Sequence, residues 1–188
     1  WIVGNHEFLL LKRIEENKFN NHNDTYETLN SLAKYNSKKE YLTDEEIFEG
    51  IRNFKLTKKR MEVIDLQNDI TLINDAYNAS LESVKAGLNY IKGVDKDKVL
   101  ILGDILELGK YSKRIHKKAN KLLKNIKNKE VYTIGKYSKY IKGINFKDVD
   151  EFIKYIKNKR INNSYMYVKG SRRINLDKVV DYIKKEFI

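Results

Sequence analysis

The chain has 188 residues, 41% of them hydrophobic, with no cysteine, three histidines and a formal net charge of +12. That length accommodates one ordinary domain with a smaller appendage and a real core, which excludes disorder throughout; without cysteine there is no disulfide framework, thiolate nucleophile or zinc cluster, and a cytoplasmic setting is favoured. No apolar run approaches the roughly 18 residues of a membrane span and no secretion signal opens the chain, so a soluble protein with no membrane partner is expected.

Beginning at Trp1, with its first clear motifs only after Arg60, the chain reads as a piece of a longer polypeptide. Between Trp1 and Phe54 the signals are helical. Phe8, Leu11 and Ile14 share one helix face, Leu29, Leu32 and Ala33 another, and Thr43 with Glu46 forms a capping box ahead of Ile47. From Arg60 onward strands and helices alternate. Glu62 to Leu66 and Ile70 to Asn74 are apolar runs around Gln67, Asn68 and Asp69, which predicts a hairpin. Leu81, Val84, Leu88 and Ile91 give a helix ending at Gly93, and Lys98 to Leu102 is a short continuous apolar run suited to a central parallel strand.

Ser112 is expected to cap a helix carrying Ile115, Ala119, Leu122 and Ile126, followed by a strand from Val131 to Ile134 that stops at Gly135. Val149, Phe152, Ile153 and Ile156 predict another helix, Tyr165 to Val168 another strand, and Asn175 the cap of a last helix through Phe187. The whole is an α/β fold with a mostly parallel sheet flanked by helices, preceded by a small helical segment. In such sheets ligands bind beyond the carboxyl ends of the strands. Four loops should therefore meet on one rim: Asp75 to Asn78, Gly103 to Glu107, Gly135, and Lys169 to Arg172.

Each of these groups has two readings. Asp75 can accept hydrogen bonds from a ribose diol or simply cap a turn. Lys169-Gly170-Ser171-Arg172 can grip a phosphate or carboxylate, or be a solvated basic loop. Asp104 and Glu107 can bind a cationic amine, orient a base or close a turn. His116 is placed on the exposed side of its helix, structural or solvated. The positive charge invites a nucleic-acid reading. Lys113, Lys117, Lys118, Lys121, Lys124 and Lys127 are instead read as outer helix faces in a lysine-rich composition, giving weak adhesion to polyanions and no specific nucleic-acid partner. The sequence has no Walker A loop, since Gly109-Lys110 and Gly135-Lys136 are each followed by Tyr.

Taken together and in order, five segments resemble the Mur ligase family, and within it the branch that adds D-alanyl-D-alanine. They are Arg60 to Ile64, Asn74 to Ser80, Gly103 to Gly109, Thr133 to Gly135, and Val168 to Arg172, in a match running from about Glu45 to the C-terminus. The resemblance implies a Rossmann-like C-terminal domain over residues 57–188, with 1–56 a helical remnant of the central ATPase domain. It implies ATP and Mg2+ as cofactors, bound mainly by that central domain, and a UDP-muramoyl peptide and a small amino acid or dipeptide amine as substrates. Arg60, Asp75 and Asn78 would then contact nucleotide, and Tyr77, Asp104, Lys169, Ser171 and Arg172 substrate, with no catalytic residue and no metal ligand in this piece alone.

The chain departs from the family at Leu81, where proline is usual, at Arg173, where glycine is usual, and at Tyr26, where an adenine-contacting Asn would follow a His22-Asn23 pair. Two functions stay open: part of an amide ligase in peptidoglycan precursor synthesis, inactive in isolation, or a Mur-like binding or regulatory module. Removing Asp75 or Lys169 is expected to lower turnover far more than stability.

Overall fold

The computed structural model describes residues 59–187; the helices expected between Trp1 and Phe54, and the His22-Asn23 pair, lie outside the described residues. Strands β1 (Glu62–Leu66) and β2 (Ile70–Asp75) form the expected antiparallel hairpin. Asn68 and Asp69 turn the chain with φ of 59° and 56°, a left-handed conformation that these two residue types tolerate better than other side chains.

The remaining strands are β3 (Asp97–Gly103), β4 (Lys129–Ile134), β5 (Ile144–Phe146) and β6 (Ser164–Lys169). They complete one six-stranded sheet of order β1-β2-β6-β3-β4-β5, parallel everywhere except at β1. β2, β3 and β6 are buried almost end to end, which is why they read as continuous rather than alternating apolar runs. β5 was not foreseen; three residues, two of them exposed, leave no periodicity to detect.

Helices α1 (Leu81–Lys92) and α2 (Ser112–Leu122) pack beside each other, as do α3 (Val149–Ile156) and α4 (Asp177–Phe187). The main core lies between α3, α4 and the sheet face bearing Leu72, Ile101, Tyr132, Met166 and Val168. Ile73, Leu100, Leu102 and Tyr167, at the intervening strand positions, belong to the opposite face. Tyr167 reaches into α1 at Gly87, where an added Cβ would lie 1.9 Å from its hydroxyl. A helix-interior glycine costs about 1 kcal/mol relative to alanine, and here it makes room for that side chain.

Two expected caps are placed differently. Ser112 is the first residue inside α2 and its hydroxyl donates to Gly109 O at 2.8 Å, so it closes the preceding 3-10 turn. Asn175 takes a left-handed conformation, φ 60°, at the end of the 3-10 turn Arg172–Ile174 that leads into α4. α1 is capped by Ser80 and Ser83 in a reciprocal box, and α3 by Asp148.

Register fixes where the strands end. Asp75 pairs with Lys169, Leu102 with Lys169, and Gly103 with Ile134, so β2, β6, β3 and β4 finish on a common rim.

Candidate functional site

The segment entering β1 is strained. Lys59 and Met61 both have positive φ, 68° and 51°, on either side of Arg60. Left-handed backbone at residues other than glycine costs on the order of 1 to 3 kcal/mol and persists only where its surroundings impose it. Here the β2 loop does so: Tyr77 N donates to Lys59 O at 3.1 Å, and the Met61 backbone bonds the Asp75 carboxylate. The result sets the Arg60 guanidinium over the Tyr77 ring, 4.1 Å from its centroid, with Arg172 at 5.8 Å from the same ring. Tyr77 and Arg60 are half-buried, while Arg172 and Asn78 are exposed. Two guanidiniums around one aromatic ring make a planar cationic grip of the kind that holds phosphate or carboxylate bidentately.

Beneath that layer Lys169 Nζ lies 2.6 Å from Asp75 Oδ2 and donates to Asn78 O at 3.1 Å, and the Tyr167 hydroxyl donates to the same carboxylate oxygen at 3.0 Å. Asp75 and Lys169 are 3% and 2% exposed. Burial pushes the Asp75 carboxyl up despite the attraction of Lys169, and pushes the Lys169 ammonium down despite Asp75, with the Arg60 charge adding to the second shift. Burial also holds the Tyr167 phenol well above its ordinary value. A buried pair of this kind loses about 3 to 5 kcal/mol when one partner is removed and the other charge is stranded. Replacing Asp75 or Lys169 therefore carries a stability cost beside any effect on turnover, because the pair and Tyr167 tie β2 to β6.

Asp104 is likewise inward. It is 3% exposed, and its carboxylate accepts backbone N–H groups from Lys136 at 3.0 Å, Tyr137 at 3.0 Å and Ser138 at 2.6 Å. Gly135 makes this possible, because it has φ 127° and an added Cβ would lie 2.5 Å from the Asp104 carboxylate. Ser171 links the next pair of loops: its hydroxyl accepts from Leu106 N at 2.9 Å while its own N–H donates to Asp104 O at 3.0 Å. Glu107, by contrast, is exposed and pairs with Arg173 at 3.4 Å, a pair worth little in water.

His116 is fully buried rather than solvent-facing. Nε2 accepts from Ile105 N at 3.0 Å, and Nδ1, 2.7 Å from Ser112 O, is left as the donor, which fixes the neutral tautomer. Its neighbour Lys117 points outward, so proximity to a lysine in sequence was a poor guide to its face.

The eight residues singled out from sequence thus share the rim and divide into two layers. Arg60, Tyr77, Asn78 and Arg172 form the outer one; Asp75, Asp104, Lys169 and Ser171 lock the loops that carry it. Tyr167 and His116, which sequence reasoning did not place in the site, complete the inner layer. A tyrosine in a strand one residue ahead of the Val168-Lys169-Gly170 segment was the available signal for the first. Among the described residues no group of three His, Asp or Glu is gathered to hold a metal.

Residues 59–172 match the Mur ligase, glutamate ligase domain. The chain is 38% identical over 141 residues to the UDP-N-acetylmuramoyl-tripeptide--D-alanyl-D-alanine ligase of Rickettsia prowazekii, covering 70% of this chain and 31% of that one. It is 35% identical over 118 residues to the ligase of the same name from Buchnera aphidicola subsp. Baizongia pistaciae, covering 60% of this chain and 26% of the relative. It therefore spans less than a third of these relatives' length. Among solved structures it resembles MurF from Acinetobacter baumannii, with a TM-score of 0.68, 22% identity and coverage of 77% of this chain and 34% of the other. MurF ligase from Thermotoga maritima in complex with ADP has a TM-score of 0.65 at 20% identity, with coverage of 82% and 36%. At those identities the structural likeness establishes the fold, a Rossmann-like sheet. With the domain match spanning residues 59–172, more than half of the chain, the chain belongs to the Mur ligase family.

Proposed function

We propose that this chain is the C-terminal part of an ATP-dependent amide ligase that joins D-alanyl-D-alanine to a UDP-muramoyl tripeptide in peptidoglycan precursor synthesis. Residues 57–188 are its C-terminal domain, and 1–56 the end of the central domain. In this reaction the γ-phosphoryl group of ATP passes to the peptide carboxylate, the amine attacks the acyl phosphate, and phosphate leaves as the amide forms. Phosphoryl transfer is catalysed mainly by positioning and by charge offered to developing anions.

The outer layer suits that task. Arg60 and Arg172 offer guanidiniums to phosphate or carboxylate oxygens, Tyr77 keeps the two planes in place, and Asn78 adds an exposed amide toward nucleotide or dipeptide. The inner layer, Asp75, Lys169, Asp104 and Ser171, holds those side chains by positioning their loops. Magnesium and the bulk of ATP binding belong to the Walker-loop domain of the parent polypeptide, as this sequence has no such loop. The observation that carries the reading is the convergence of Arg60 and Arg172 on Tyr77 at the strand-end rim.

The test uses the full parent protein, with ADP release measured in the presence of UDP-muramoyl tripeptide and D-alanyl-D-alanine. Turnover should require both substrates, fall at least tenfold in Arg172→Ala with an unchanged melting temperature, and be absent from the 188-residue chain alone. A parent protein that binds UDP-muramoyl peptide without any amine-dependent ADP release would identify a binding module instead.

A further inference from the structure

The positive charge of this protein is not spread over its surface. Residues 108–147 hold thirteen Lys and Arg and a single acid, Glu130, a balance of +12 that equals that of the whole chain. Residues 59–107 hold nine acids and six bases. A lysine-rich composition would load every face alike, whereas five of the six lysines taken above as evidence of it, Lys113 through Lys124, sit on α2 and the 3-10 turn that follows it, with Lys127 two residues beyond.

The fold gathers seven of these thirteen cations, Lys110, Lys113, Arg114, Lys117, Lys118, Lys121 and Lys139, onto one surface. α2 buries Ser112, His116 and Ala119 against the domain and leaves Lys113, Arg114, Lys117, Lys118 and Lys121 exposed. The 3-10 turn Ser138–Tyr140 packs beside it, and Lys113 and Lys139 lie 5.4 Å and 5.7 Å from the Tyr140 ring, so the patch is continuous across the two elements. Tyr111, 48% exposed, has Arg114 and Lys110 over its ring at 4.9 Å and 5.4 Å. Among the described residues no Lys or Arg of residues 108–147 takes part in a salt bridge, and the one acid of the stretch, Glu130, pairs with Lys159 outside it. Its charges are uncompensated within the domain.

We propose that this face, α2 with the Ser138–Tyr140 turn, docks the domain on an anionic lipid bilayer. Charge complementarity selects a polyanion, and the makeup of the surface selects a bilayer over nucleic acid. Twelve of the thirteen cations are lysine, the compact point charge suited to a diffuse anionic plane, whereas base recognition draws on the forked donors of arginine. Single-stranded nucleic acid needs open aromatic faces in a groove. Here cations already cover the tyrosine rings, and the patch is the outer side of a helix. Interleaved tyrosines are at home at the headgroup level. No helix among the described residues is long and apolar enough to cross a membrane, and the apolar side of α2 is used up inside the domain, so attachment is peripheral, electrostatic and salt-sensitive.

The test is co-sedimentation of the 188-residue chain with vesicles of phosphatidylglycerol and phosphatidylcholine, against vesicles of phosphatidylcholine alone. The chain should bind the first, not the second, and be released by salt. Lys117→Glu, Lys118→Glu and Lys121→Glu together should lower partitioning by about a hundredfold or more, at about a factor of five per lysine from charge loss alone. The same three positions changed to Gln, which spares the helix new repulsions, should lower it at least tenfold with an unaltered melting temperature. Lys154→Glu, Lys157→Glu and Lys185→Glu, an equal charge change on α3, α4 and their flanks, should cost less than the α2 triplet. Equal losses in the two glutamate triplets, no dependence on phosphatidylglycerol, or release from vesicles by an oligonucleotide at matched phosphate concentration would each overturn the proposal, the last by reassigning the face to nucleic acid.

Discussion

Asp104 is the residue whose sequence reading and structural setting diverge most, and replacing it by Asn separates the two. The carboxylate Oδ1 accepts from Tyr137 N and Ser138 N, and Oδ2 from Lys136 N. Asparagine keeps the shape but has one acceptor oxygen, so its amide NH2 must face a backbone N–H that the carboxylate had satisfied. One charge-assisted bond is lost outright, at about 1.5 to 3 kcal/mol, the remaining bonds lose their ionic character, and the stranded donor adds a desolvation cost of the same order. The sum is about 3 to 6 kcal/mol. For a chain of this size each kcal/mol moves the midpoint by roughly 2 to 4 °C, so Asp104→Asn should melt about 6 to 24 °C below the parent sequence. Thermal unfolding followed by circular dichroism reads this directly. A midpoint within 2 °C of the parent, together with lost turnover in the full ligase, would refute the anchoring role and restore Asp104 as a substrate ligand.

Lys169→Ala should cost about 3 to 5 kcal/mol in chemical denaturation, because it strands the buried Asp75 carboxylate, and Lys169→Ala combined with Asp75→Ala should recover part of that loss. Gly135→Ala should be destabilised by at least about 2 kcal/mol, since alanine must adopt a backbone conformation close to glycine-only while its Cβ displaces the Asp104 carboxylate, and a melting temperature equal to the parent would contradict the contact. Glu130 is held below its ordinary value by the hydrogen bond from Lys159 and then that from Tyr132. A depressed carboxyl stabilises the fold above its unfolded pKa, near 4.5, and that contribution disappears as pH falls through the folded value. The melting deficit of Glu130→Gln should therefore be present at pH 7 and vanish in acid; a deficit independent of pH would show that packing, not ionisation, is responsible.

Most of the sheet was legible because its buried strands are unmixed apolar runs closed by Gly103, Gly135 and Gly170, and because α1, α3 and α4 keep a clear helical stripe. β5 was not, since it gains its place by pairing with β4 rather than from any pattern of its own. The rim was legible as a location, because every strand-end loop carried polar residues. The division of labour within it was not. Asp75 and Asp104 are both acids following an apolar strand, and nothing local tells that one finds a lysine across the sheet and the other a row of amides in a loop some thirty residues on. For the same reason His116 was assigned to the wrong side of α2: the N–H that donates to it, Ile105 N, comes from a loop eleven residues earlier, and only the folded geometry brings them together.

The antiparallel setting of β1 has a consequence for control. A residue that precedes a strand can share an end of the sheet with residues that follow parallel strands only if its own strand runs the other way, and this is how Arg60 comes to face Tyr77. Polypeptide arriving from the N-terminal side thus joins the domain at the same rim as Tyr77, through Lys59 and Met61 already wound in the unfavourable sense. A twist imposed on that entry point would reach Arg60 before it reached any packed strand, giving the upstream chain a short lever on this side chain.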